Sequence, residues 1–231
     1  MQIKNLAVPF AAVLAVVAGW WVGNMMPRGG TPISEQLSRV SDDVAEGAPA
    51  LAGGHVMHPA RPVAAFSLLS DEMQPVSESS LEGQWTFLFM GYTYCPDICP
   101  VTMIELDQLH RSVGAEDQAG AAPIKSLFVS VDPRRDTPER LREYTGYFNA
   151  AIDGVTGESK QLEQFAKAMR LVYLPAPDEP ADANYLVDHS AQVVLTNPKG
   201  ELQAIFPPPH SGSVIAEDFR SILAWWDQQS G

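Results

Sequence analysis

Apolar positions fall into three regimes along the chain. Residues 6–23 are an unbroken apolar run between Lys4 and Arg28. Residues 27–62 show no period and are rich in Pro, Gly, Ala and Ser. From residue 63 onward, short apolar runs alternate with stretches of helical spacing. The spacing predicts a short strand over 66–69 and a buried strand over 85–90 (Trp-Thr-Phe-Leu-Phe-Met). A helix over 100–113 places Met103, Leu106 and Leu109 on one face, with Pro100 in its first turn. A strand over 124–131 follows. Thr137 with Pro138 behind it then starts a helix over 138–148. A further helix covers 159–171. Strand 191–196, the turn Asn197-Pro198-Lys199-Gly200 and strand 201–206 read as a hairpin, and a last helix spans 213–227.

The three regimes divide the chain into a membrane anchor (1–26), a flexible tether (27–62) and a folded domain (63–231). The 18 residues from Leu6 to Gly23 would span roughly 27 Å as a helix, close to the hydrocarbon thickness of a bilayer. Trp20 and Trp21 stand near its far end, where aromatic rings favour the membrane–water interface. A cleaved signal peptide is the alternative, with Ala15 and Ala18 at a small-residue cleavage site. The apolar run continues past both alanines, which favours an uncleaved anchor. A mitochondrial transit peptide would be richer in Arg and Ser, so the expected place is a bacterial inner membrane, single-pass, with the domain in the periplasm. The tether also holds His55, Met57 and His58, read either as accessory copper-capturing side chains or as residues without a role.

Strand, cysteine loop, helix, strand, helix, hairpin, helix is the element order of a thioredoxin-like α/β domain. The fold class expected is therefore α/β, a thioredoxin-like domain preceded by a single transmembrane anchor helix. A formal charge of −13 argues against nucleic acid as a partner, because phosphate binding needs a basic face. An acidic surface suits small cationic partners or a metal ion.

The chain has two cysteines, Cys95 and Cys99. A bridge between them closes a tiny loop and stabilises by only about 2 kcal/mol in the chain-entropy account. Their place, between a buried strand and a helix start, points to chemistry instead. Exposed N–H groups and the helix dipole favour thiolate there. The C-x-x-x-C spacing puts both sulfurs on one side if the second half is helical. Two soft thiolates suit Cu(I), and an added imidazole suits copper in either oxidation state. Zinc on two Cys and one His, with an open fourth position, is the alternative metal. Among the histidines, His110 reads as a surface residue near a helix end and His210 as a loop residue after Pro207-Pro208-Pro209. His189 precedes a strand, in the loop that this fold brings towards the cysteines; it reads as a ligand or as an ordinary buried or capping histidine. Two functions remain: a copper metallochaperone without turnover, and an enzyme, a thiol–disulfide oxidoreductase in which Cys95 attacks and Cys99 resolves. A peroxiredoxin would want an activated cysteine near Arg and Thr, and this loop carries Pro96-Asp97 and a second Cys instead.

Three stretches sharpen the choice. Gly91-Tyr92-Thr93-Tyr94-Cys95-Pro96-Asp97-Ile98-Cys99-Pro100, Val131-Asp132-Pro133-Arg134-Arg135-Asp136-Thr137-Pro138-Glu139 and Asp188-His189-Ser190 resemble, in that order, the Sco (SenC) family of copper chaperones. The likeness runs from about Val63 to the carboxyl terminus, and anchor plus tether is similar to the family's layout. The resemblance implies copper held by Cys95, Cys99 and His189. It implies as partner the copper-site subunit of cytochrome c oxidase, whose binuclear centre is being assembled, or another copper chaperone. Copper delivery, reduction of the oxidase cysteines and redox sensing all occur among the roles assigned to the family. Asp132 and Asp136 fall near the metal region in such proteins, as secondary ligands or docking residues; otherwise Asp136 or Thr137 caps a helix and Asp132 braces the loop.

Overall fold

The computed structural model describes residues 47–113, 122–176 and 185–230. In chain order its strands are β1 (His55–Pro62), β2 (Ser67–Ser70), β3 (Pro75–Ser77), β4 (Trp85–Gly91), β5 (Ile124–Ser130), β6 (Ile152–Thr156), β7 (Tyr173–Leu174), β8 (Asp188–His189), β9 (Val193–Thr196) and β10 (Glu201–Phe206). The helices are α1 (Ile98–Ser112), α2 (Pro138–Phe148), α3 (Ser159–Ala168) and α4 (Gly212–Ser230). The order β1-β10-β9-β4-β5-β6-β2-β3 makes one mixed sheet, and β7 with β8 makes a separate two-stranded ribbon.

β4, β5 and β6 are parallel, so each connection must cross over, and α1 and α2 supply the crossovers. β4 is buried along its whole length because both faces of the sheet are covered. Strand alternation then assigns its side chains. Trp85, Phe87 and Phe89 join Met103, Leu106 and Leu109 of α1 and Ile215, Phe219 and Ile222 of α4 in one core. Leu88 and Met90 face the other way, into a core with Leu162 and Phe165 of α3, Val129 and Tyr92. The α/β architecture and the buried Met103-Leu106-Leu109 face of α1 agree with the sequence pattern.

Three expectations change. The tether does not run to residue 62, because His55–Pro62 is β1, paired antiparallel with β10. It alternates poorly and carries Pro59 and Pro62, both tolerable because it is an edge strand. Gln203 Nε2 donates to the Met57 carbonyl at 3.0 Å and helps hold it. The 159–171 helix stops at Ala168, where Arg170 takes a left-handed φ of 58° and cannot continue a right-handed helix. α1 starts at Ile98 rather than Pro100, which brings Cys99 inside the first turn. The proposed anchor over 1–26 lies outside the described residues, and among those described no helix is long and apolar enough to cross a membrane.

His110 is a further correction. It is half-buried, and its Nε2 lies 2.8 Å from the hydroxyl of buried Ser126 on β5. Burial holds its pKa below the ordinary histidine value, with Asp107 pulling the other way. The unfolded chain therefore binds a proton more readily than the fold does. The stability from neutral His110 is complete above about pH 6.5 and is lost as pH falls through the folded value. Thermal unfolding at pH 7.5 and 5.5 should show a smaller drop for His110→Gln than for the wild type. Equal drops in both proteins would remove His110 from the acid response.

Candidate metal centre

The site begins where β4 ends. Gly91 must lack a side chain, because a Cβ there would stand 2.7 Å from Phe128 and 2.9 Å from the Cys99 sulfur. The chain turns over Tyr92-Thr93-Tyr94, with the Cys95 N–H donating to the Tyr92 carbonyl at 3.1 Å, and enters α1 at Ile98. Cys99, the second residue of the helix, is fully buried against the core that holds Phe89 and Phe128. Cys95 is half-buried, and its side chain is within interaction range of the Cys99 thiol. Both cysteines are free.

His189 comes from the β7–β8 ribbon, where it pairs with Tyr173. The ribbon is pinned by Ser190 N–H to the Val172 carbonyl at 2.8 Å and by Val172 N–H to the Ser190 hydroxyl at 2.7 Å. Nδ1 of His189 lies 3.0 Å from the Ser190 carbonyl. A carbonyl only accepts, so this contact assigns the proton of the neutral ring to Nδ1 and leaves Nε2 with its lone pair. Nε2 stands 3.8 Å from Cys99 Sγ. Tyr92 and Phe89 hold the imidazole edge-on at ring separations of 5.9 and 6.3 Å. Burial keeps this ring below the ordinary histidine pKa, so it is presented as a neutral donor.

The thiol expectation reverses at Cys99. Being at a helix start should acidify it, but burial outweighs that and pushes its pKa well up, with Cys95 adding to the rise. The sulfur is held as thiol until something with a strong sulfur preference displaces the proton.

Other candidate residues lie elsewhere. His210 is in the loop before α4, with Nδ1 3.2 Å from the Thr102 hydroxyl and Nε2 donating to the Phe206 carbonyl at 3.2 Å. Both of its nitrogens are engaged. His55 and Met57 sit on edge strand β1, three strands from β4, or roughly 14 Å across the sheet. His58 packs its ring against Trp225 at 5.3 Å.

Asp136 and Asp132 brace the site. Asp136 accepts from the Thr93 N–H at 2.9 Å, the Thr93 hydroxyl at 2.7 Å and the Ser130 hydroxyl at 2.5 Å. It thus ties the cysteine loop to the end of β5. Thr137 is the cap of α2, accepting from the Arg140 N–H at 3.3 Å. Asp132 accepts from the Tyr185 hydroxyl at 2.6 Å, joining the middle motif to the segment that carries His189. Thr93, Ser130 and Tyr185 were not singled out by the sequence, since hydroxyl residues carry no spacing signal of their own.

The donor set fits a soft metal. Two sulfurs and one neutral imidazole match the preference of copper. Among the described residues a complete group of three ligands at metal-holding separation is not preformed. What stands ready is the Cys99–His189 pair with Cys95 beside it.

Comparison with known proteins bears on this arrangement. The family described as SCO1/SenC matches residues 56–224. The mitochondrial SCO2 homologue of Bos taurus is 34% identical over 159 residues, which are 69% of this chain and 59% of that protein. The crystal structure of Arabidopsis thaliana ScoI with copper bound is similar at 31% identity and a TM-score of 0.61, over 71% of this chain and 98% of the other. The structure of Bradyrhizobium japonicum ScoI with copper bound gives 28% identity and a TM-score of 0.58, over 69% and 98%.

Proposed function

We propose, for a chain that belongs to the SCO1/SenC family, that it holds copper through Cys95, Cys99 and His189 and delivers it to the binuclear copper site of cytochrome c oxidase during assembly. The observation that carries the reading is the neutral His189 Nε2 facing the Cys99 sulfur at 3.8 Å. Redox exchange between two thiols does not require an imidazole so placed, whereas a soft metal ion takes it as a third donor. Copper is the cargo here. Cys95 sits on the loop after β4, Cys99 in the first turn of α1 and the histidine on a separate ribbon, so the site can open by a shift of the ribbon alone. An acceptor can then exchange ligands one at a time, without Cu(I) ever being free. The copper-bound state of the two ScoI relatives supports this reading. The oxidase as acceptor follows from the family resemblance. The apolar run over 6–23 supports an inner-membrane anchor that keeps the domain in the periplasm, near that acceptor.

Titrating the reduced protein with Cu(I) against a competing chelator tests the reading. One equivalent should bind, and Cys95→Ala and His189→Ala should each weaken it by more than about tenfold. Wild-type affinity in His189→Ala, together with ready reduction of disulfide substrates, would make the protein a thiol–disulfide oxidoreductase instead.

A further inference from the structure

Arg135 belongs to the middle motif but reaches far beyond it. Its guanidinium carbon lies 3.6 Å from the centre of the Tyr185 ring, 4.9 Å from that of Tyr94 and 5.7 Å from that of Tyr92. Its Nε donates to Asp132, and one terminal nitrogen donates to the Tyr185 carbonyl at 2.9 Å. The Tyr185 hydroxyl closes the ring by donating to the same aspartate at 2.6 Å. The Arg135 side chain is 14% exposed and that of Asp132 2%, so these contacts are screened far less than a surface pair.

Three chain segments meet at this one cation. Tyr92 and Tyr94 belong to the loop that carries Cys95. Asp132 belongs to the turn after β5. Tyr185 begins the short five-residue segment that ends in His189. Together with the direct contacts of Tyr92 to the His189 ring and to the Val187 backbone, this cluster ties the histidine segment to the cysteine loop. A stacked, forked guanidinium suits the task, because it bonds in its plane and packs on its faces at once. Lysine can keep the charge but not the geometry.

We propose that Arg135, clamped between Tyr185 and Asp132, is a positioning residue for the metal centre: it latches the His189 segment against the cysteine loop and so regulates how readily the third donor reaches the sulfurs. The proposal rests on the copper reading above. Closing the latch keeps Nε2 opposite Cys99. Opening it frees the histidine segment and leaves the metal on two sulfurs, the state from which an acceptor takes it.

The test is a double-mutant cycle on the reduced full chain, read as Cu(I) affinity by chelator competition. Arg135→Lys should weaken binding about tenfold in the wild-type background and less than about twofold in the His189→Ala background. Tyr185→Phe, which keeps the ring and loses the hydroxyl, should fall between Arg135→Lys and wild type. Without metal, amide hydrogen exchange at residues 185–190 should quicken in Arg135→Lys while that of α1 and α2 stays as in wild type. An equal loss in both backgrounds, or faster exchange throughout α1 and α2, would overturn the latch and make Arg135 a general structural residue. Unchanged affinity and exchange in both variants would also overturn it. If His189→Ala alone binds copper like wild type, the failure lies one step earlier, in the copper reading itself.

Discussion

Cys99→Ser is expected to lower Cu(I) affinity by more than about a hundredfold while leaving the fold intact. Loss of an outer partner to a metal ligand already costs roughly 10–100-fold, and here the ligand atom itself is replaced. A serine hydroxyl is hard, holds its proton, and offers Cu(I) little in place of a thiolate. A hundredfold corresponds to roughly 2.7 kcal/mol of binding free energy. The fold should lose less. The site is fully buried beside Phe89, Phe128 and Gly91, so a hydroxyl there costs about 1–3 kcal/mol if nothing accepts its proton. His189 Nε2, with its free lone pair 3.8 Å from the sulfur, is placed to accept it after a small shift. Chelator competition and thermal melting on the same sample separate the two effects. Retained tight binding would show that the Cys99 sulfur is not a donor and would overturn the three-ligand site.

Much of this site was legible from residue spacing. Strand 85–90 runs straight into the cysteine loop, and its nearly continuous apolar run marks a strand buried on both faces. α2 begins at Pro138 and ends at Phe148 as expected, because Thr137 and Pro138 form an unambiguous start. β1 was not legible. An edge strand has one bonded neighbour and, with its mostly exposed and half-exposed side chains, shows neither alternation nor an apolar run. β6 escaped for a different reason: Ile152-Asp153-Gly154-Val155-Thr156 is too short and too mixed to register alone, and it exists because β5 and β2 flank it. The bracing network was hidden as well. Thr93, Ser130 and Asp136 lie up to 43 positions apart, and only the folded chain shows that one carboxylate answers both hydroxyls. Burial also decided what the helix dipole could not. A buried thiolate loses its hydration, and at Cys99 that cost exceeds what the helix dipole returns.

Asp136→Ala should be the most damaging single change to the fold around the site. The residue is 1% exposed, and its carboxylate is the shared acceptor for the Thr93 N–H, the Thr93 hydroxyl and the Ser130 hydroxyl. Burial raises its pKa while these same bonds lower it, so the wild type carries a desolvation cost that alanine would relieve. Losing the acceptor outweighs that relief. The hydroxyls can rotate towards other oxygens, but a backbone N–H cannot, and each buried donor left unpaired costs about 1–3 kcal/mol. A net loss of roughly 2–4 kcal/mol follows, or about 5–15 °C in melting temperature for a domain of this size. Asp136→Asn keeps one acceptor oxygen for the Thr93 N–H and should lose about half as much. Because Thr93 stands two residues before Cys95, copper affinity should fall with stability in both variants, by about 10–100-fold for alanine. A normal melting temperature with weakened copper binding would mean that Asp136 acts on the cysteine loop alone. A normal value for both would show that the loop is held without it.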